Sequence, residues 1–331
     1  MNNYFIILYR RYAIGKIFKL TEFKINPDLC PAFMKNDRFV SWALFILLCV
    51  IWGSSFILMR WSTEGLNSIQ IASLRIFSAG IVLVPFAFFH FLKIPKKKLP
   101  LVILSAVCGN LLPAYLFAGA IAKNIDSSLA GILNSLTPIC VVVVGILFFK
   151  TKVGSRKILG VIIGFAGLCL LTISGNKGIS FENLEYALWI VLGTLFYGVN
   201  INLVSHYLKD INPIHLATVS LSFMVLPTAI VLWQQDFFVL AASEFKFSLN
   251  GPSAIRWPII ASVILGVVAS AIATVLFYML VKRAGGLFAS LVTYGIPFIA
   301  ITWGFIFGEN ITALQIGCLG IILSGVYLAN R

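Results

Sequence analysis

The residues of this chain that can do chemistry are few, and most of them are uncharged. No H-E-x-x-H, no G-x-S-x-G and no carboxylate pair inside an apolar run occurs, so neither metallohydrolase, serine-hydrolase nor paired-acid chemistry can be assembled. The six cysteines stand singly without a C-x-x-C spacing, which offers neither a disulfide framework nor a zinc site. His90, His206 and His215 fall at the ends of apolar runs, as interfacial side chains do. No catalytic residue, metal ligand or cofactor is therefore assigned. What remains is a set of neutral polar and aromatic residues inside apolar runs, the kind that orients a small ligand in an apolar cavity. They are Trp52, Ser54, Ser55, Asn110, Tyr115, Asn134, Ser135, Tyr197, Asn200, Asn202, Tyr278, Tyr294 and Trp303. Tyr197 and Asn200 are three apart and share a helix face. Each of these residues equally suits a second role, as a polar tether between helices.

One permanent charge joins them. The stretch SIQIASLRIFSAGIVLVPFAFF (68–89) carries Arg75, seven residues from its start. At about 1.5 Å per residue that is roughly 10 Å along a helix. From there a guanidinium can snorkel to an interface, or it can face the protein interior, where an intramembrane charge is a functional candidate by default. The expectation taken forward is that Arg75 faces inward and serves substrate recognition or outer gating, with helix C-terminal carbonyls or a substrate carboxylate as partner.

The elements that hold these residues are set by composition. Of 331 residues, 60% are hydrophobic and 11% charged, and mean hydropathy is +0.99. A soluble core cannot hide that much apolar surface, and apolar runs of about 20 residues match the hydrocarbon thickness of a bilayer. Backbone without water must be helical there. The expected fold is an all-α integral membrane protein with ten transmembrane helices, near 39–61, 69–92, 100–122, 127–149, 157–174, 185–206, 213–234, 257–281, 287–308 and 312–329. The longest connection, 235–256, is flanked by Trp233 and Trp257 and reads as interfacial. The net charge of +14 lies in short loops and forms no continuous stripe, which argues against nucleic acid as a partner. Counted by alternate loops, nineteen basic residues fall on one side and five on the other, placing both termini in the cytoplasm. Residues 1–38 hold seven basic and three acidic residues. They read as a cytoplasmic tail, either an interfacial basic helix or an extension preceding a start at Met34. The expected partners are a small-molecule substrate and the lipid bilayer, with a homodimer left open.

The runs also repeat. LNSIQIASLRI (66–76) aligns without gaps to INPIHLATVSL (211–221), sharing Asn67/Asn212, Ile69/Ile214 and Ala72/Ala217. WGSSF (52–56) meets YGVNI (197–201) at the same offset, and LAGILNSLTPICVVVVGILFFK (129–150) meets FASLVTYGIPFIAITWGFIFGE (288–309), pairing Pro138 with Pro297. Two halves of five spans each, 39–174 and 185–329, must insert with opposite topology, the inverted-repeat layout of secondary transporters. Pro138 and Pro297 each interrupt a helical hydrogen bond and are candidate hinges. Arg75 itself faces Ser220 in the second copy, so the repeat does not demand a cation there.

With IWGSSF (51–56), SLRIFSAG (73–80), SSLAGILNSLTPICVVVVGILFF (127–149) and the block 277–326 in this order, residues 39–329 resemble the drug/metabolite transporter superfamily, specifically its EamA-type permeases. That resemblance implies export or exchange of small metabolites, amino-acid-like or similarly polar, by alternating access across the bacterial inner membrane, through a cavity bounded by both halves. It also implies an Arg in the second span. The chain departs from the pattern at one point: Glu309 fits, but its counterpart is Lys150. No carboxylate is embedded in a span, so proton coupling has no evident carrier and exchange or passive release is the expectation. A lipid or lipid-linked flippase, or less readily an intramembrane lipid-modifying enzyme, stays open as an alternative.

Overall fold

A computed structural model describes residues 30–123, 133–173, 184–246, 255–306 and 312–329. The tail before residue 30 and Glu309 lie outside that set. The chain divides into two compact units, Met1–Val40 and Ser41–Arg331. Of the first, the described part is the opening of a helix. The second holds everything that follows.

Among the described residues every regular element is helical. In chain order they are α1 (Cys30–Thr63), α2 (Ser68–Phe91), α3 (Leu99–Ala106), α4 (Leu112–Ala122), α5 (Thr137–Phe149), α6 (Ser155–Ile173), α7 (Leu184–Tyr207), α8 (Pro213–Phe223), α9 (Val225–Gln234), α10 (Phe237–Lys246), α11 (Arg256–Gly266), α12 (Ala273–Ala284), α13 (Gly286–Ser290), α14 (Val292–Ile306) and α15 (Ala313–Ala329). Single π-helical turns, Val107–Leu111 and Val267–Ile272, join α3 to α4 and α11 to α12. Among the described residues six stretches are long and apolar enough to cross a membrane: 38–55, 68–91, 96–121, 185–207, 213–234 and 256–284. Shorter apolar helices cover 137–149, 286–299 and 316–329.

Local chemistry sets the helix starts. Asn67 opens α2 with a capping box: its Oδ1 accepts from the Gln70 N–H (2.8 Å), and Gln70 Oε1 accepts from the Asn67 N–H (3.1 Å). Asn212 opens α8 as a simple N-cap, its Oδ1 accepting from the Ile214 N–H (2.9 Å). The asparagines that align in sequence are thus both N-caps. Beyond its cap α2 has two halves. Gln70 to Gly80 is mostly buried, whereas Phe86, Phe88 and Phe89 are exposed. An exposed phenylalanine run is expensive in water and favourable in lipid, so the second half belongs to the hydrocarbon. The helix packs against α4, α8, α9, α11 and the second π turn.

α6 and α15 pack along one another through glycines. A Cβ built on Gly325 would stand 2.4 Å from the Gly164 amide nitrogen and 2.7 Å from the Gly160 carbonyl oxygen. Backbone atoms cannot step aside as a flexible side chain can. Gly325→Ala is therefore expected to force the pair apart at a cost of about 1–3 kcal/mol, read as a lower melting temperature of the purified protein.

At one end of the bundle, Lys98 ties two loops together. Its Nζ donates to the Tyr207 carbonyl (2.9 Å) and pairs with Asp210 Oδ1 (2.5 Å). The Lys98 hydrogen bond, ahead of all other causes, holds the Asp210 carboxyl below its ordinary range. Because the pair is exposed, its worth is below about 1 kcal/mol. With the folded value depressed, this contribution is present above the unfolded carboxylate value near ~3.9 and is lost as pH falls through the folded one. Asp210→Asn is expected to lower the melting temperature slightly at neutral pH. Once pH falls below the folded carboxyl value, its melt should converge on that of the parent chain.

Candidate functional site

A cavity of about 140 Å3 opens where α1, α2, α4, α7, α12, α13 and α14 converge. Both π turns form part of its wall, contributing Gly109 and Asn110 on one side and Ala269 on the other. A π turn widens the helix by one residue and leaves a carbonyl without its usual donor, and such turns are frequent at functional sites. Here Ala273 sends its N–H back to the Val268 and Ser270 carbonyls, bypassing Ala269. The indole Nε1 of Trp52 donates to the freed Ala269 carbonyl at 3.0 Å. In the first turn Leu112 donates to the Val107 carbonyl, and Pro113 has no N–H to give to Gly109.

Arg75 lines the cavity. Its Nε donates to Ser270 Oγ at 2.7 Å, and its two Nη groups have no protein partner among the described residues. The close approach of α11 to α2 at this level depends on Gly266. A Cβ there would lie 1.9 Å from Ser78 Oγ and 2.4 Å from the Arg75 carbonyl oxygen. This close packing accompanies the reach of the Ser270 hydroxyl to the guanidinium. Tyr197 lines the same cavity within electrostatic reach of Arg75.

A buried polar network closes one end. Ser105 Oγ donates to Asn200 Oδ1 (2.7 Å) and shares a hydrogen bond with the Tyr278 hydroxyl (3.0 Å). Thr274 Oγ1 donates to Asn110 Oδ1 (3.3 Å), linking the helices that carry the π turns. Beyond Tyr278 lies a second cavity of about 180 Å3, whose wall includes Val204, Leu208, Lys209, Leu216 and Lys282. Among the described lining residues, Tyr278 alone borders both cavities.

Eight of the eleven substrate-site residues expected from sequence line the central cavity: Trp52, Ser55, Arg75, Asn110, Asn134, Tyr197, Asn200 and Tyr278. The other three, Tyr115, Tyr294 and Trp303, lie outside that lining. Tyr115 bonds Ser73 Oγ through its hydroxyl (2.6 Å) within an apolar cluster that includes Ala72, Ile76 and Met224. Tyr294 donates to the Val161 carbonyl (2.9 Å), and Trp303 donates to Ser54 Oγ (3.0 Å). All three tie helices together, the second role open to any polar aromatic in a span. The prolines also part company. Pro297 lies inside α14, whereas Pro138 opens α5 in its first turn, where no intrahelical bond is lost. The lining also includes Phe117, Phe277, Ser290 and Thr293, which the sequence did not single out.

The sequence matches the EamA-like transporter family over residues 40–173 and again over 184–331. A protein of Archaeoglobus fulgidus named "Uncharacterized transporter" is 24% identical over 294 residues, spanning 88% of this chain and 98% of its own length. The Escherichia coli K12 protein YedA, named as an uncharacterized inner membrane transporter, is 26% identical over 298 residues, 86% of this chain and 89% of its own. A protein of known crystal structure shares the fold with a TM-score of 0.63 at 16% identity, over 89% of this chain and 97% of that one.

Proposed function

The chain belongs to the EamA-like transporter family, and from that premise we propose that it carries a small polar metabolite across a bacterial inner membrane. The observation that carries this reading is the central cavity, walled by residues of both family-matched segments and holding an Arg75 guanidinium whose Nη groups have no protein partner among the described residues. The location rests on the hydrophobicity of the helices and on the inner-membrane name of the Escherichia coli relative.

In this reading ten spans form two inverted five-helix halves, and both termini lie in the cytoplasm. The matching N-caps of α2 and α8 and the π turns before α4 and α12 support the two-fold relation, and the bias of basic loops supports the orientation. Related halves exchange roles to expose the cavity to each side in turn. The solute leaves by export or exchange. Tyr278 is the barrier toward the Lys209 and Lys282 side, and Pro297 supplies a bend in α14. Pro138, at the start of α5, is a fixed entry to that helix.

The test is flux in proteoliposomes with a panel of amino acids, organic acids, sugars and nucleobases, with and without a pH gradient. Saturable uptake or counterflow of at least one solute is expected, unaffected by the gradient. Absence of flux for the whole panel under both conditions would refute the transporter reading.

A further inference from the structure

We propose that the central cavity selects organic anions: molecules with one carboxylate on an aromatic or branched apolar body, in preference to the zwitterionic, neutral or cationic forms of that body. The inference rests on the transporter reading above and narrows its substrate.

The argument is an inventory of donors and acceptors facing the cavity. The hydroxyl protons of Ser55, Thr137, Ser290 and Thr293 are committed to carbonyls of their own chain segment: Trp52 (2.7 Å), Asn134 (2.5 Å), Leu287 (2.7 Å) and Ser290 (2.9 Å). The Trp52 indole N–H is used on Ala269, and the Tyr278 hydroxyl is held by Ser105. These residues therefore present ring faces or lone pairs to a ligand. Five groups keep free hydrogen-bonding capacity among the described residues: the Nη atoms of Arg75, the Tyr197 hydroxyl, the buried Nδ2 of Asn110, the Nδ2 of Asn200 and the side-chain amide of Asn134. All five can donate, the Asn134 amide can also accept, and one is permanently charged.

The described lining contains no Asp or Glu. A guanidinium withdrawn from water without a counter-charge is costly, and an anion arriving with the ligand relieves that cost. The guanidinium fork matches the two oxygens of a carboxylate. An ammonium entering the same space meets a like charge and no carboxylate, which selects against an α-amino acid and against an amine. Much of the remaining lining is apolar and aromatic. Trp52 and Phe277 stand with ring centroids 5.4 Å apart, and Phe117 and Tyr197 at 6.0 Å. That wall receives a flat or branched hydrocarbon.

Four probes with one phenylethyl body isolate the charge: 3-phenylpropionate, L-phenylalanine, 3-phenylpropanamide and phenethylamine, titrated calorimetrically into the purified full chain at pH 7.4. The expected order puts 3-phenylpropionate about tenfold or more ahead of the other three. Arg75→Gln should erase that lead, Arg75→Lys should keep part of it, and Tyr197→Phe should shrink it several-fold. The order in the unmodified protein needs no variant to fold. Binding of phenylalanine or phenethylamine as tight as that of 3-phenylpropionate would overturn the proposal, as would an anion preference that survives Arg75→Gln, or no binding of any probe. Flux of a zwitterion with the probe order reversed sinks this inference and leaves the transporter reading standing. The expected probe order without flux of any solute does the opposite.

Discussion

Replacing Arg75 with alanine is expected to lower solute flux in proteoliposomes by about 100-fold or more without lowering the melting temperature. The two halves of that result have one cause. Among the described residues the Arg75 side chain makes a single protein hydrogen bond, to Ser270, and it lines a cavity whose described lining holds no acid. Within the empty protein the cation is a liability, because its desolvation is not repaid by a partner. With the substrate bound, two charge-assisted hydrogen bonds of about 1.5–3 kcal/mol each become available. Losing both removes two or more decades of affinity at about 1.4 kcal/mol per decade. A residue kept for packing behaves the opposite way, with lower stability and unchanged flux in the protein that still folds. Arg75→Lys should retain a fraction of the activity, since the charge stays and the fork is lost. Flux and melting curves on the same preparations decide the matter, and full flux in Arg75→Ala would remove Arg75 from the mechanism.

Arg75 was legible in the sequence because a charge inside an apolar run is rare and expensive. The N-caps were legible too, since Asn67 and Asn212 precede apolar runs in aligned segments and a cap is a local matter of one side chain and two or three amides. What could not be read was direction. A helix apolar on all sides gives no amphipathic cue to which face meets lipid, a neighbour or a cavity. Tyr115, Tyr294 and Trp303 are of the same residue types as Tyr197, Tyr278 and Trp52, yet the first three reach neighbouring helices and the second three reach the cavity. Serines and threonines that satisfy their own helix carbonyls are equally silent. The π turns escaped for a related reason. Pro113 marks the first, but the second runs through VVASAI with no proline, and follows from the packing of Gly266 on α2 and of Trp52 on Ala269. Pro138 and Pro297 align in sequence, but a proline's effect depends on its distance from the helix start, which the alignment does not carry. Of the six stretches that qualify as spans among the described residues, 38–55, 68–91 and 185–207 each lie within one helix, whereas 96–121, 213–234 and 256–284 are assembled from consecutive helical pieces.

Tyr278 is where the second large effect is expected. Its ring is the common wall of two cavities, fully buried, with its hydroxyl fixed to Ser105, which in turn donates to Asn200. Three helical segments, α3, α7 and α12, thereby meet at one phenol. A gate of this kind has two components, the bulk of the ring and the bond that holds it. Tyr278→Phe keeps the bulk and removes the bond, a loss of about 1 kcal/mol, so the closed form is weakened several-fold. Tyr278→Ala removes both and joins the 140 Å3 cavity to the 180 Å3 one. A cysteine placed at Thr274, on the central side, reports the opening through its reaction with a membrane-impermeant methanethiosulfonate added from the Lys209 and Lys282 side. Against a parent chain carrying its native cysteines, labelling should rise several-fold in Tyr278→Phe and about tenfold or more in Tyr278→Ala. Exchange flux should lose saturation in the alanine variant, because a continuous path no longer requires the two halves to alternate. If neither variant changes the labelling rate, closure on that side belongs to the helices themselves, and Tyr278 is a network residue that happens to separate two voids.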